Sequence, residues 1–299
     1  MADLRPPSRA LTYAALAALI LIWGTTWAAI RVGLQGIPPL TGIALRFAIA
    51  ATVLLALTPF FGVRLGREPR ERRLWFLSAL CNFCVSYGVI YWAEQWVPSG
   101  LSSVLFATYP LMTAALAHFA LPGERLRPLA LVGILTGFLG VALIFSEDFR
   151  ALGGPRVAFA AGMMLLSPLS ATFGTVSIKK WGQGIHPLSL SAVPMAITAV
   201  VMGSLAAVTE TNRAFHWSPA AVMALLYLAL FGSAFTFTVY FWLLKGLPVS
   251  KLSLFNYATP VVAVTVGSVF LDEPVTWKII VGAGLVISGV VVAVRSKAK

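Results

Sequence analysis

Charged residues are scarce in this sequence. Asp, Glu, Lys and Arg together make up 11% of its 299 residues, only ten of these are acidic, and there are three histidines and two cysteines. Each shortage removes a class of function. No loop is rich enough in carboxylates to hold Mg²⁺ against a diphosphate. The cysteines stand as Cys81-Asn82-Phe83-Cys84 inside an apolar run, without a second ligand pair for zinc or a wet helix end for redox work, so they read as two thiols packed in a helix. No G-x-x-x-x-G-K-[ST] loop occurs, which excludes an ATP-driven pump within the chain. A G-x-S-x-G nucleophile with an intramembrane histidine is also missing, which leaves nothing to support a rhomboid-like protease. Neither a metal nor a cofactor is expected, and the chain does not read as an enzyme.

What fills the space is hydrophobic, at 59% of the sequence. A bilayer core needs roughly 20 apolar residues per helix. Windows of that size fall near Ala10–Ile30, Leu40–Phe60, Leu74–Trp96, Leu101–Leu121, Pro128–Ser146, Val157–Ile178, Ser189–Val208, Ala220–Leu244, Leu252–Leu271 and Ile279–Val294. The runs are continuous rather than alternating with period two, which disfavours a barrel. The first window lacks a small-residue cleavage site and is expected to stay as a helix.

The net charge of +12 is distributed by loop. With the N-terminus inside, sixteen basic residues fall on the inner side, in clusters such as Arg64–Arg73, Arg125 with Arg127, and Lys179 with Lys180. Arg31, Arg150, Arg156, Arg213 and Lys278 fall outside, and Arg46 lies within a span. By the positive-inside rule both termini are cytoplasmic. The charge is thus a topology signal for a lipid bilayer, and no nucleic-acid partner is expected.

The chain is also written twice. Val97-Pro98-Ser99 through Ser103, Tyr109-Pro110, Glu124, Gly133 and Gly140 returns as Leu247-Pro248-Val249 through Ser253, Thr259-Pro260, Glu273, Gly282 and Gly289. Pro110 and Pro260 lie 150 positions apart, and the glutamates and glycines follow after a one-residue slip. The expected fold is all-α and integral to the membrane: ten transmembrane helices in two five-helix repeats, residues 10–146 and 157–294. Five is odd, so the second repeat is inverted, the usual frame for alternating access with substrate bound near the midplane.

Trp23-Gly24-Thr25-Thr26-Trp27 resembles the opening of the EamA-type repeat of the drug/metabolite transporter superfamily, and the Pro110…Glu124…Gly133…Gly140 series with its copy resembles the close of that repeat. The second copy departs from the pattern at Ala171-Thr172, where Trp-Gly is expected. The resemblance implies a transporter of the cytoplasmic membrane, among whose relatives are bacterial exporters of amino acids, notably aromatic ones. Drug efflux of lipophilic cations, or a facilitator or channel of the same fold, are the alternatives.

Candidate substrate-binding residues are Trp23, Thr26, Trp27, Asn82, Tyr87, Tyr91, Tyr109, Asn256 and Tyr257, polar or aromatic groups that have hydrogen bonds to satisfy away from water. Trp23, Thr26, Trp27 and Ile30 share one face of the first span, and Cys84, Tyr87, Tyr91 and Glu94 share one face of the third. The counterpart of that second stripe is Ala234, Phe237, Phe241 and Leu244, so one wall is polar and the other smooth, which suits an amphiphile such as an amino acid. Pro110 and Pro260 are the candidate hinges. Arg46 and Glu94 are the intramembrane charges, placed to pair with each other or to hold a substrate's carboxylate and ammonium; Glu94 is the candidate proton site if transport is proton-coupled. Glu124 and Glu273 read as structural, pairing with the next helix or capping its N-terminus. The glycines of the fifth and tenth spans, including Gly133-x-x-x-Gly137, are expected to pack those helices against each other or across a homodimer.

Overall fold

The computed structural model describes residues 9–66, 68–122, 124, 128–146, 154–213, 215–252, 256 and 258–295. All regular structure among them is helical. Seven helices are long and apolar enough to cross a membrane: α1 (Ala10–Gly33), α2 (Pro39–Leu57), α3 (Pro69–Ala93), α4 (Ser99–Ala120), α6 (Pro155–Trp181), α7 (Pro187–Thr209) and α8 (Pro219–Gly246). Three more helices are α5 (Pro128–Phe145), α9 (Ala258–Phe270) and α10 (Trp277–Arg295). A short helix, Val249–Leu252, precedes α9, and Tyr257 lies outside the described residues.

Proline sets many of the boundaries. α2, α3, α5, α6, α7 and α8 each begin on one, where the missing N–H is among those a helix start leaves unpaired anyway. Within the helices the breaks are of two kinds. α4 is interrupted between Phe106 and Tyr109, with Pro110 in the first turn of its second piece; α9 likewise carries Pro260 in its first turn. α3 and α8 are interrupted by π-helical segments, Ala79–Val85 and Leu230–Phe235, which occupy equivalent places in the two halves. A π segment lets backbone carbonyls leave the regular ladder. Here side chains from elsewhere take them up: Ser170 Oγ donates to the Cys81 carbonyl at 2.9 Å, and Trp23 Nε1 donates to the Gly232 carbonyl at 3.3 Å.

α2 packs along α7, and α5 along α10. The second contact is made by glycine. A Cβ on Gly140 would lie 2.6 Å from the Gly282 carbonyl oxygen, and one on Gly289 would collide with the backbone of Gly133 and Gly137. The small residues are therefore used between α5 and α10 themselves, by close backbone approach. Their other faces, with Leu131, Leu135, Leu139 and Ile280, are exposed and apolar.

Hydrogen bonds tie alternate loops together in two groups. In one, the His216 amide donates to the Gly36 carbonyl (2.9 Å), the Leu40 and Thr41 amides both donate to Glu210 (2.9 Å each), and the Ser99 amide donates to Glu273 (2.7 Å). In the other, Lys179 Nζ donates to the Leu244 and Leu247 carbonyls (2.8 Å each), Ser189 Oγ donates to Glu71, and the Val249 amide donates to Glu124 (3.3 Å).

Candidate functional site

A cavity with about 80 Å³ open to the centres of water molecules lies between the two halves. It is enough for several waters, given that one needs roughly 10–15 Å³ on that measure. Trp23, Thr26, Trp27 and Ile30 of α1, Asn82, Ser86, Tyr87 and Ile90 of α3, and Phe106 and Tyr109 of α4 border it from the first half. From the second come Ala171 and Thr175 of α6, Phe237 and Tyr240 of α8, and Asn256 and Thr259 at the start of α9.

Twelve of these sixteen residues pair by the internal repeat. Trp23 corresponds to Ala171, Trp27 to Thr175, Tyr87 to Phe237, Ile90 to Tyr240, Phe106 to Asn256 and Tyr109 to Thr259, and both members of every pair border the cavity. The cavity thus sits where the two copies meet. Within most pairs one member is a large ring and the other small or polar. The rings gather on one wall: Trp23 packs on Phe237 (centroids 5.2 Å apart) and Tyr240 (5.5 Å), and Trp27 on Phe106 (5.5 Å), which stacks on Tyr109 (5.7 Å). The polar members of the lining are Thr26, Asn82, Ser86, Thr175, Asn256 and Thr259.

The polar lining is built by local exchange of bulk. A Cβ on Gly174 of α6 would collide with the Asn82 side chain, so glycine there admits the amide; in the other half Gly232 admits Thr26, whose methyl would be 2.8 Å from a Cβ. Thr26 and Gly174 are repeat equivalents, as are Asn82 and Gly232. The two copies have traded which helix carries the side chain and which the space. Asn82 Nδ2 donates to Ser78 Oγ (3.1 Å), and Ser86 shares a hydrogen bond with Ser167 (2.9 Å). Asn256 Nδ2 is buried without a hydrogen-bond partner among the described residues. Between the two halves the hydroxyls of Tyr109 and Tyr240 lie 2.9 Å apart and join α4 to α8.

Of the residues selected from sequence, Trp23, Thr26, Trp27, Asn82, Tyr87, Tyr109 and Asn256 border this one cavity. Tyr91 does not. The stripe it belongs to faces α2: Tyr87 packs edge-on to Phe47 (5.0 Å), and Tyr91 lies 3.2 Å from where a Cβ of Gly42 would stand. Arg46 is turned from the cavity too. It is 1% exposed; its Nε donates to Ser233 Oγ (2.7 Å), one terminal nitrogen donates to the Gly232 carbonyl (3.1 Å), another reaches the Tyr91 hydroxyl (3.4 Å), and its plane lies 4.6 Å from the Tyr87 ring centre. The guanidinium thus fastens α2 to the π segment of α8, and no ion pair joins it to Glu94 among the described residues. Glu94 is wholly buried, and neither carboxylate oxygen has a hydrogen-bond partner among those residues; Arg31 donates to its backbone carbonyl instead. Glu124 and Glu273 do receive helix-start amides, but those of the opposite half rather than of the next helix.

Ser86, Ile90, Phe106, Thr175, Phe237, Tyr240 and Thr259 were not among the residues selected from sequence. Shifting each selected residue by the repeat offset finds Thr175, Phe237, Thr259 and, back from Asn256, Phe106; Tyr240 follows from Ile90 only once the cavity is seen.

A helical bundle with an apolar exterior and an uncharged, part-aromatic cavity where two related halves meet defines a multi-pass membrane protein of the transporter class. Residues 9–146 and 158–295 each match the EamA-like transporter family, so the chain belongs to that family. It is 29% identical over 90% of its length to the uncharacterized transporter YoaV of Bacillus subtilis, covering 92% of that protein. It is 31% identical over 95% of its length to the uncharacterized inner membrane transporter YedA of Escherichia coli, covering 91%. A solved crystal structure shares the fold over 98% of this chain and 100% of its own, with a TM-score of 0.74 at 21% identity.

Proposed function

We propose that this protein exports small metabolites, amino acids with apolar or aromatic side chains foremost, by alternating access across the cytoplasmic membrane. The carrying observation is the cavity on the repeat interface, with packed rings beside hydroxyls and amides, and no carboxylate, lysine, arginine or histidine among its described lining residues. An amphiphile matches both: its side chain packs on the rings, and its polar end finds donors and acceptors it would lose by entering lipid. A phosphorylated solute would want a fork of arginine or lysine donors, and Arg46 is already engaged. The ten-span frame, with two inverted repeats and both termini inside, is part of the proposal. It is supported by the two groups of alternate loops and by the basic residues that concentrate in one of them.

The rings also favour a second reading, efflux of lipophilic cations, because an aromatic face attracts a desolvated cation. Uptake into liposomes holding only this protein separates the two. Labelled phenylalanine, methionine and lysine are supplied with and without a pH gradient, beside a lipophilic cation. Saturable phenylalanine and methionine flux with counterflow is expected. Cation accumulation without amino-acid flux moves the protein to the second reading, and flux that never saturates makes it a channel.

A further inference from the structure

α4 and α9 are repeat equivalents, and each is fastened to the other by the carboxylate that follows it. Glu273, just past the end of α9, accepts from the Ser99 amide (2.7 Å), the Ser99 hydroxyl (2.9 Å) and the Gly100 amide (3.0 Å) at the start of α4. Glu124, just past the end of α4, accepts from the Val249 amide (3.3 Å) at the start of the segment leading into α9. Ser99 and Val249 stand 150 positions apart, Glu124 and Glu273 149. One arrangement is thus made twice, at opposite ends of the bundle. Between the two clasps α4 is interrupted beside Pro110, α9 starts beside the equivalent Pro260, and Phe106, Tyr109, Asn256 and Thr259 border the cavity there.

A second pair of carboxylates behaves differently. Glu210 accepts from the Leu40 and Thr41 amides and the Thr41 hydroxyl, and Glu71 from the hydroxyl of Ser189, the repeat equivalent of Thr41. These also join one half to the other, Glu210 tying the end of α7 to the start of α2 and Glu71 tying α3 to α7, but α2 and α7 pack along their lengths. The α4–α9 clasps flank the cavity, and the interruption of α4 beside Pro110 lets its outer and inner pieces tilt separately.

We propose that Glu273 and Glu124 are the two latches of the transport cycle: Glu273 holds the outer ends of α4 and α9 together while the inner side opens, and Glu124 holds the inner ends while the outer side opens. They act through helix starts rather than on substrate, so both are positioning residues. The assignment rests on the alternating-access reading given above.

The test uses the full-length protein with Cys81→Ala and Cys84→Ala, after confirming that counterflow persists. Two buried α4 positions on either side of Pro110 serve as reporters, Ser102→Cys toward the outer side and Ala117→Cys toward the inner. Each is labelled with a membrane-impermeant maleimide in right-side-out and inside-out vesicles. Replacing a charge-assisted clasp by an amide is expected to shift the balance of states by about fivefold. Glu273→Gln should therefore raise Ser102→Cys labelling from outside and lower Ala117→Cys labelling from inside, and Glu124→Gln should do the reverse. Ser99→Ala, which spares both backbone donors, should repeat the Glu273→Gln bias at smaller size even if that variant folds poorly. Changes of the same sign at both reporters, or none, overturn the latch assignment. Open labelling of both reporters from both sides before any latch substitution overturns alternating access itself, so the two failures are distinguishable.

Discussion

The two halves of the cavity lining come largely from the same backbone positions read twice, and most equivalent pairs share little side-chain chemistry. Trp23, Trp27, Phe106 and Tyr109 of one half answer to Ala171, Thr175, Asn256 and Thr259 of the other. The mechanical parts have been treated in the opposite way. The π segments of α3 and α8, the prolines of α4 and α9, the glycines joining α5 to α10 and the cross-half carboxylates are kept in both copies. Duplication therefore supplies a symmetric frame able to rearrange in two directions, while divergence of the lining gives the solute two unlike ends to meet. A symmetric lining would have offered an amphiphile the same chemistry twice.

If the ring wall carries most of the binding, Trp23→Ala has the largest effect. Truncating a packed tryptophan costs about 3–5 kcal/mol, and this one also leaves the Gly232 carbonyl without its indole donor. Saturable phenylalanine flux is expected to fall by about a hundredfold or more. Ala171→Ser at the repeat-equivalent position is expected to change it by less than about threefold. Comparable losses for the two substitutions would break the contrast between the halves.

Glu94 sharpens the comparison from outside the lining. A carboxylate buried without hydrogen bonds is costly, of order 1–3 kcal/mol or more, so its retention calls for a function. Glu94→Gln is expected to abolish accumulation driven by a pH gradient while leaving gradient-free counterflow within about twofold. Glu94→Leu, which removes the polar atoms altogether, is expected to raise thermal stability in detergent. Gradient-driven accumulation surviving in Glu94→Gln would leave the carboxylate without a part in coupling.

Gly140→Leu acts on the frame rather than on either half of the lining. The added side chain meets the Gly282 carbonyl and the backbone at Val286, and overpacking of this kind costs about 1–3 kcal/mol. Lower thermal stability is expected, with phenylalanine affinity unchanged in the fraction that remains folded. A change of affinity at full stability would tie α5 and α10 to the cavity.

Much of this organisation is legible in the residue order, and what is hidden has a physical cause. Helix starts, breaks and the α5–α10 contact show because proline and glycine act on the backbone and leave a mark wherever they stand. The seven sequence-selected residues that border the cavity were legible because rings and amides inside an apolar run need a reason to be there. The π segments were not: Ala79–Val85 holds no residue that demands one, and its carbonyls are taken up by side chains about ninety or more positions away, such as Ser170. Arg46 misleads for a related reason. Its partners are a backbone carbonyl and a serine 187 positions distant, so no spacing in the sequence could separate a helix fastener from a substrate clamp.

The smallest effect tests a direct hydroxyl–hydroxyl bond between ring-bearing helices of opposite halves. The Tyr109 and Tyr240 hydroxyls meet at 2.9 Å, and the repeat-equivalent pair, Thr259 and Ile90, cannot reproduce that bond because Ile90 has no hydroxyl. A single buried hydrogen bond contributes about 1 kcal/mol, roughly fivefold in an equilibrium. Tyr109→Phe and Tyr240→Phe should each change the half-saturating phenylalanine concentration by about that factor, and the double variant should do no more than either alone, since both remove the same contact. Full additivity would mean that each hydroxyl serves the solute separately, which would make this edge of the ring wall part of the polar recognition rather than a tie between α4 and α8.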